Sequence, residues 1–254
     1  MKLQKLISKL EKHHKKKLDL SLGRTFNLLK KLGDPQDKLK NVITVVGTNA
    51  KASMCYSLKS ILNQGGYKTN LYTSPHLLSY TERYIFDDKE INEEDLIELL
   101  TDVEKTLGDD NATLFEILTC AFLKYAENFK DNINIIEAGL FHQFDSTNVF
   151  KENLMTLIGV IHNDHFQWLE NKSIDGVIHE KTAKLLNSNI FVNKQVNNEI
   201  RDKIESSLEK NTSKKYFFGK DFNIGKSENG FIQYQDQLGE LVLPEPSILG
   251  DDQL

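Results

Sequence analysis

The chain has 254 residues, of which 39% are hydrophobic and 27% are charged, and its formal net charge is −5 at pH 7. This length is enough for one large domain with a sizeable core. The mild negative charge gives no general attraction to nucleic acid or to a membrane surface, and no apolar run approaches membrane-spanning length. Two scattered cysteines, Cys55 and Cys120, favour a reducing cytoplasm over a disulfide-bonded or zinc-binding protein.

Helical and strand patterns alternate along most of the chain, after a lysine-rich helical lead-in that ends at Gly33-Asp34-Pro35. Strands are predicted at residues 42–46, 68–73, 133–136, 155–161, 189–192 and 215–218. Helices are predicted at residues 52–63, 93–107, 114–129, 173–186 and 197–208. Residues 222–243 are predicted to form short strands around Asn229-Gly230 and Leu238-Gly239. The alternation predicts an α/β fold with a mostly parallel sheet flanked by helices, followed by a small β-hairpin elaboration.

Residues 41–53, N-V-I-T-V-V-G-T-N-A-K-A-S, combine a buried strand, a short loop and the start of a helix. This layout is typical of a phosphate-binding loop, in which backbone N–H groups and the helix N-terminus attract phosphate oxygens. Lys51 supplies a positive charge, and Ser53 can reach a magnesium shell. The loop lacks glycines at the positions where such loops usually have them.

Polar residues follow four of the predicted strands, at Gly47–Ser53, Thr73–His76, Glu137 and Asp164-His165. Because ligands bind outside the carboxyl ends of parallel strands, we expect these groups to converge in one crevice. Together they suit a magnesium and nucleotide-phosphate site, although singly a glutamate can cap a helix and a histidine can be structural. Arginine occurs only at positions 24, 83 and 201. Because its planar guanidinium binds phosphate and carboxylate groups in two places at once, each of these arginines is a candidate for a binding role.

Several motifs follow one another in a distinctive order. They are V-V-G-T-N-A-K-A-S at 45–53, L-Y-T-S-P-H-L at 71–77, T-L-F-E-I-L-T at 113–119, E-A-G-L at 137–140, D-S-T-N-V at 145–149 and S-I-L-G-D-D-Q at 247–253. This series resembles the folylpolyglutamate synthase/dihydrofolate synthase family, one of the Mur-type ATP-dependent amide ligases, over essentially the whole chain.

The resemblance implies a P-loop NTPase-like fold of the Mur ligase central-domain type. It implies an ATP-binding domain at residues 1–246, made of a helical lead-in at 1–35, an α/β core at 36–220 and a β elaboration at 221–246. Residues 247–254 would begin a linker to a C-terminal ligase domain that is missing from this sequence.

The function implied by the resemblance is an ATP- and Mg²⁺-dependent ligase. Such enzymes phosphorylate a carboxylate of dihydropteroate or of a folate, and the amine of L-glutamate then attacks the acyl phosphate. A cytoplasmic monomer with small-molecule substrates is the corresponding expectation.

The resemblance also implies roles for individual residues. The ATP-binding residues would be Gly47, Thr48, Asn49, Ala50, Lys51, Ala52 and Ser53. The metal ligands would be Ser74, Glu137, His165 and Lys181, with Lys181 carbamylated. The catalytic residues would be Lys51, His165 and Lys181. The substrate-binding residues would be Thr113, Leu114, Phe115, Glu116, Phe144, Asp145 and Ser146.

The chain departs from the family pattern at several of these places. Ala50 and Ala52 replace the two loop glycines, where a Cβ costs about 1–2 kcal/mol in a left-handed conformation or clashes with phosphate. Phe141-His142-Gln143 replaces Gly-Gly-Arg, Glu170 replaces a glycine, and the spacing from His165 to Lys181 is one residue longer than usual.

These departures leave two other hypotheses beside the ligase. One is a divergent or truncated non-catalytic homologue that keeps the fold and binds nucleotide or pterin weakly if at all. The other is an unrelated P-loop phosphotransferase, which the ordered motifs disfavour.

Overall fold

The computed structural model describes residues 2–13, 21–169, 171–226 and 231–244, and in these ranges the chain forms helices and two β-sheets. The helices are α1 (Leu3–His13), α2 (Gly23–Lys31), α3 (Lys51–Gln64), α4 (Glu93–Leu107), α5 (Leu114–Ala126), α6 (Ile174–Thr182) and α7 (Asn198–Ser207). The strands are β1 (Val42–Val46), β2 (Thr69–Tyr72), β3 (Tyr84–Phe86), β4 (Lys89–Glu90), β5 (Ile133–Glu137), β6 (Met155–Ile158), β7 (Asn189–Val192), β8 (Lys215–Phe217), β9 (Phe222–Lys226), β10 (Ile232–Asp236) and β11 (Gly239–Leu243).

The larger sheet has eight strands in the order β4-β3-β2-β5-β1-β6-β7-β8. The six strands from β2 to β8 in this order run parallel, and β3 and β4 are antiparallel at one edge. The predicted α/β fold with a mostly parallel sheet is therefore confirmed. Since β1 lies between β5 and β6, its carboxyl end is at the middle of the sheet edge where ligands bind in such folds.

Strand β1 lies between β5 and β6 near the centre of the sheet, and every one of its side chains is buried. A run of β-branched residues without polar alternation is typical of a strand covered on both faces. Val42 packs into the core on one face of the sheet, and Val45 packs with Cys55 of α3 on the other.

Helices α1, α2, α4 and α5 form the layer on the first of these faces. Aromatic contacts join α5 to the sheet, with the ring centroid of Phe122 lying 5.0 Å from that of Tyr72 and 5.1 Å from that of Phe86. A separate part of the core, which includes Val177 of α6 and Ile204 of α7, covers the β6–β8 side of the sheet.

The small β elaboration is also confirmed. Strands β9, β10 and β11 form an antiparallel sheet in which Ile232 pairs with Lys226 and with Leu243. The predicted turn at Asn229-Gly230 and the predicted linker at residues 247–254 lie outside the described residues.

Several predicted details differ from the structure, including the end of α5 at Ala126 and not at 129. The edge strands β3 and β4 were not predicted, since segments of two or three residues are too short to show a periodic pattern. Strand β6 ends at Ile158 and not at 161. Helix α6 ends at Thr182 and not at 186, because the backbone leaves the helical region at Ala183 and Lys184 has a φ of +60°.

None of the helices in the described part of the chain is long and apolar enough to span a membrane.

Candidate active site

A cavity of about 660 Å³ lies beyond the carboxyl ends of the central strands. Three of the four predicted strand-end groups contribute residues to its wall, as expected at the edge of a parallel sheet, whereas the fourth, Glu137, does not line it. The wall is formed by Arg24, Thr48, Lys51, Ser74, Pro75, Arg83, Thr113, Phe115, Glu116, Gly139, Leu140, Phe141, Phe144, Asp145, Ser146, Asp164, His165, Gln167, Trp168 and Lys181.

The loop after β1 is held against the end of β6. Gly47 has a φ of +150°, and a Cβ added to it would lie 3.1 Å from Cα of Gly159. The N–H groups of Thr48 and Asn49 both donate to the carbonyl oxygen of Val160, at 2.8 and 3.1 Å. The loop therefore has a defined path, and its first two N–H groups after Gly47 are bonded within the protein.

The second half of the loop forms the N-terminus of α3. Ala50 has a φ of +65°, which is the left-handed conformation expected for a glycine at this position. Lys51 begins the helix, and its Nζ donates to the carbonyl oxygen of Thr48 at 3.2 Å. Ala52 and Ser53 follow in the first turn of α3, where both are exposed and Ala52 has no positive φ. Of the two alanine replacements, only Ala50 is in a conformation that favours glycine.

Glu137 and Ser74 lie together at the ends of β5 and β2. Glu137 is buried, and its Oε2 accepts a hydrogen bond of 2.9 Å from the N–H of Ser74. Ser74 precedes Pro75 through a cis peptide bond. Burial raises the pKa of Glu137, and the Ser74 N–H, Lys51 and Arg83 offset part of that rise. Glu137 does not line the cavity, but it is bonded to Ser74, which does, and its buried carboxylate is a group that a cation would stabilise.

Asp164 and His165 enter the cavity from the loop after β6. Nε2 of His165 lies 3.1 Å from Oδ2 of Asp164, and both side chains are about one third exposed. His165 has a φ of +53° and directly precedes a short 3₁₀ turn at Phe166–Trp168. This arrangement places the imidazole ring 6.2 Å, between centroids, from the ring of Phe141.

Lys181 of α6 is part of the cavity wall, and only 2% of the residue is exposed. Its Nζ donates to the carbonyl oxygens of Gly47 and Leu140 at 2.9 and 3.0 Å. It also lies 5.7 Å from the centroid of the Phe141 ring, over the ring. Burial and the nearby charge of Lys51 lower the pKa of Lys181 to about 8, although Asp164 and Asp145 act in the opposite direction.

The two predicted substrate segments line the cavity on its other side. Thr113 and Glu116 cap the start of α5 by a reciprocal pair of hydrogen bonds between side chain and backbone. Asp145 accepts hydrogen bonds from the N–H of Leu140 and from the N–H and hydroxyl of Thr147. Burial raises the pKa of Asp145 in spite of these bonds.

Gly139 is required for these two segments to approach each other. A Cβ added to Gly139 would lie 2.7 Å from the Phe115 ring and 2.8 Å from Oδ2 of Asp145. Ser146 Oγ in turn donates to the hydroxyl of Thr119 at 3.0 Å, which anchors its segment to α5. Leu114 is the predicted substrate residue that packs against the core and does not line the cavity.

The donor set fits magnesium better than a transition metal. The described residues contain no cluster of three or more His, Cys, Asp or Glu side chains that could hold a metal ion. One buried carboxylate and a serine hydroxyl, completed by water and phosphate oxygens, are the ligands that magnesium usually takes. The residues present therefore suit a magnesium ion bound together with a nucleotide.

No family model matches the chain, but individual proteins do. The dihydrofolate synthase/folylpolyglutamate synthase of Escherichia coli strain K12 is 35% identical over 163 residues, which is 64% of this chain and 38% of that protein. The protein of the same name from Bacillus subtilis strain 168 is 36% identical over 169 residues, or 64% of this chain and 39% of the relative.

Solved structures of these enzymes have the same fold. E. coli FolC in complex with DHPP and ADP superposes with a TM-score of 0.88 and 28% identity, covering 100% of this chain and 60% of that one. The resemblance to the folylpolyglutamate synthase/dihydrofolate synthase family is confirmed. The enzyme of this family from Yersinia pestis, complexed with AMPPNP and a Mn ion, has a TM-score of 0.86 and 26% identity, with coverage of 98% and 59%.

The chain spans less than two fifths of the length of the two curated folate-ligase relatives, 38% and 39% respectively. The match therefore covers only a part of each of those enzymes.

Sequence reasoning missed several residues of the wall. The sequence analysis assigns no site role to Arg24, Arg83, Phe141 or Trp168, all of which line the cavity. Arg83 Nε donates to Nδ1 of His76 at 2.9 Å, and its guanidinium lies 5.1 Å from the centroid of the Tyr80 ring. The scarcity of arginine was the available signal, since two of the three arginines line the cavity.

Proposed function

We propose that this chain is the nucleotide-binding part of an ATP- and magnesium-dependent ligase that joins L-glutamate to dihydropteroate or to a folate. The observation that carries the proposal is that the Lys51 loop, Ser74 and the segments at 113–116 and 144–146 all contribute to one cavity. The sequence and structural matches to folate ligases support the same assignment.

In this proposal the nucleotide phosphates bind at Lys51 and the N-terminus of α3. The first N–H groups of a helix have no acceptor within the helix, and the helix dipole favours an anion there. Lys51 Nζ, now on the carbonyl oxygen of Thr48, would exchange that bond for phosphate oxygens. Phosphoryl transfer depends mainly on such positioning and charge neutralisation.

Ser74, Glu137 and His165 are the residues proposed to hold the magnesium ion. Bound magnesium would neutralise charge on the phosphate oxygens during transfer. Glu137 is preorganised for this role, because the N–H of Ser74 fixes one carboxylate oxygen and burial prevents competition from water.

The acceptor substrate is proposed to lie in the cavity against Phe115 and Phe144, with its carboxylate toward Lys51. A carboxylate oxygen would attack the γ-phosphorus, forming an acyl phosphate as the bond to ADP breaks. The glutamate nitrogen would then attack the acyl carbon, the C–O bond to phosphate would break, and the amine would lose its proton to solvent. Aromatic walls at Phe115, Phe141 and Phe144 suit a flat ring system in the acceptor.

Nucleotide binding by this chain tests the proposal. We expect isothermal titration calorimetry to detect Mg-ATP binding by the native chain and to show at least a tenfold loss in Lys51→Ala, because one phosphate-binding cation is removed. Lys59→Ala, which removes a lysine from the same helix α3, is the matched control and should bind as the native chain does. Equal binding by the Lys51 and Lys59 variants would contradict the assignment of the loop.

A non-catalytic homologue that binds nucleotide weakly is the second candidate, and the left-handed Ala50 favours it. The double variant Ala50→Gly, Ala52→Gly distinguishes the two. Much tighter Mg-ATP binding by the double variant would support the non-catalytic alternative, whereas equal binding would show that the alanines do not impair the loop.

The resemblance also supports a monomer that acts in the cytoplasm on small molecules. Size-exclusion chromatography with light scattering would test the oligomeric state, with a mass near 29.1 kDa expected for the chain.

A further inference from the structure

Trp168 lines the cavity, and the function proposed above gives its side chain no role. We propose that Trp168 stacks on the benzene ring of an aryl carboxylate acceptor, so that the chain prefers dihydropteroate to folates that already carry glutamate. The inference rests on the proposed function and specifies which acceptor that site selects.

The indole of Trp168 is fixed in the cavity wall but is only partly covered by the protein. The short turn Phe166–Trp168 is anchored on both sides of the indole, because Phe166 packs against the core and Leu169 is buried. Trp168 itself remains 44% exposed. A large apolar side chain that is held in a cavity wall and left half-exposed gains free energy when a ligand covers it.

The other aromatic side chains of the wall differ from Trp168, because each phenylalanine there contacts a ring or a cation of the protein. The pairs are Phe115 with Tyr72, Phe141 with His165, and Phe144 with Lys184. Within the described part of the chain, Trp168 makes no such contact with a ring or a cation. Its indole is therefore the aromatic group of the wall that is left to stack on a flat ring of a ligand.

Trp168 lies beside the part of the cavity where the acceptor's carboxylate is proposed to react. Its N–H donates to the carbonyl oxygen of His165 at 3.0 Å, and His165 is one of the proposed magnesium ligands. Phe115 and Phe144 belong to the segments on the other side of the cavity, and they suit the pteridine ring. The wall thus offers one aromatic group near the metal ligands and two across from it, for an acceptor with two ring systems.

Dihydropteroate and folates differ in what lies between the benzene ring and the carboxylate that reacts. In dihydropteroate the carboxylate is bonded directly to the ring, so the ring lies next to the metal site when the carboxylate reacts there. In a folate a glutamyl residue separates the two, and its flexible, charged chain takes the place of the ring near Trp168. Stacking on the indole therefore stabilises the aryl carboxylate more than the glutamyl acceptor.

Phe141 makes the same part of the cavity apolar. It lines the wall, and its ring centroid lies 6.2 Å from that of His165. The family pattern has a glycine at this position, so a ring occupies space here that the pattern leaves open. A charged glutamyl chain loses hydration against such a surface without gaining a polar partner, whereas a benzene ring does not.

Calorimetry with pteroate and with pteroylglutamate tests the selectivity. We expect the native chain to bind pteroate at least about tenfold more tightly, and Trp168→Ala to lose about tenfold for pteroate and less than about twofold for pteroylglutamate. Trp168→Phe should recover most of the loss, because it restores a ring. Tyr67→Ala removes an exposed aromatic side chain outside the cavity wall and should bind both compounds as the native chain does. Equal affinities of the native chain for the two acceptors, or equal losses in Trp168→Ala, would overturn the proposal.

A nucleotide base is the other flat ring available to the indole, and titration with Mg-ATP distinguishes the two sources. Trp168→Ala should bind Mg-ATP as the native chain does. A loss for Mg-ATP without a loss for pteroate would place the base on Trp168 and overturn the proposal. Mg-ATP binding by a native chain that does not bind pteroate would also overturn it, while leaving the nucleotide assignment in place. Pteroate selectivity without Mg-ATP binding would instead contradict the proposed function.

The native chain also reports on the contact directly, because Trp168 is its sole tryptophan and its indole N–H gives one ¹H–¹⁵N resonance. We expect saturating pteroate to shift this resonance through the ring current of the stacked benzene ring, and Mg-ATP alone to leave it in place. An unchanged resonance in the pteroate complex would overturn the proposal. This measurement needs no variant, and circular dichroism shows whether Trp168→Ala is folded for the binding comparison.

Discussion

Ala50 shows how one side chain constrains the phosphate loop. Its φ of +65° is readily adopted by glycine but costs an alanine about 1–2 kcal/mol, because Cβ crowds the following carbonyl group. The loop keeps this conformation because hydrogen bonds from Thr48 and Asn49 to Val160 fix its first half and α3 fixes its second.

We therefore expect Ala50→Gly and Ala52→Gly to have different effects on stability. Glycine at 50 should leave the free energy of unfolding unchanged or raise it by up to about 1 kcal/mol, as relief of strain offsets the greater entropy of the unfolded chain. Glycine at 52, in the first turn of α3, should lower it by up to about 1 kcal/mol. Urea denaturation measures both, and equal losses in the two variants would show that Ala50 is unstrained.

At the scale of elements, α2 and α5 are joined at the edge of the cavity by Arg24 and Glu116. Nε and Nη2 of Arg24 donate to Oε1 of Glu116 at 3.2 and 3.1 Å, and the Glu116 side chain is only 9% exposed. Glu116 also caps α5 through the N–H of Thr113. One carboxylate thus couples the lead-in helix to the segment that begins at Thr113 and contributes Phe115 to the cavity.

Removal of both charges should cost less stability than the sum of the two single removals. Arg24→Met leaves a buried carboxylate without its cation, and we expect a loss of about 2–3 kcal/mol. Adding Glu116→Gln removes the uncompensated charge, so the double variant should lose less than the sum of the two single variants. Urea denaturation of all four proteins gives the coupling energy, and strict additivity would show that the pair acts independently.

For the whole molecule, the pH dependence of stability depends on groups that folding buries. Burial, with a smaller effect of Lys181, lowers the pKa of His142 to about 4, and the residue is 2% exposed. An unfolded histidine has a pKa near 6.5, so between about pH 6.5 and 4 the unfolded chain binds more protons. The contribution of neutral His142 is therefore complete above pH 6.5 and is lost as the pH falls toward 4.

His142→Leu should flatten this part of the stability curve. The native chain is expected to lose on the order of 3 kcal/mol more than the variant between pH 6.5 and pH 4. Burial raises the pKa of Glu137 and Asp145, which act in the opposite direction, so the comparison is between variants and not between absolute curves. Urea unfolding at each pH provides the measurement, and His179→Gln controls for loss of an exposed histidine. Parallel curves for the native and His142→Leu chains would contradict the prediction.

Much of the fold could be predicted because its signals are local. The buried strand at Val42–Val46 and the helix at Glu93–Leu107 have the predicted bounds, since apolar runs and helical periodicity reflect which faces are covered. The short strands β3 and β4 could not be predicted, because the pairing of β3 with β2 and of β4 with β3 stabilises them and their own sequence does not. The early end of α6 depends likewise on the backbone at Lys184.

By itself, the sequence determined that a strand, a lysine-containing loop and a helix form a phosphate-binding layout, and that four strand ends carry polar groups. Both follow from local patterns and from the rule that parallel strands end on one edge of a sheet. Only the tertiary structure decided which groups face the cavity. It brought Arg24 and Arg83 into the wall and placed Nζ of Lys181 on two carbonyl groups beside Phe141, because these contacts join segments far apart in the chain.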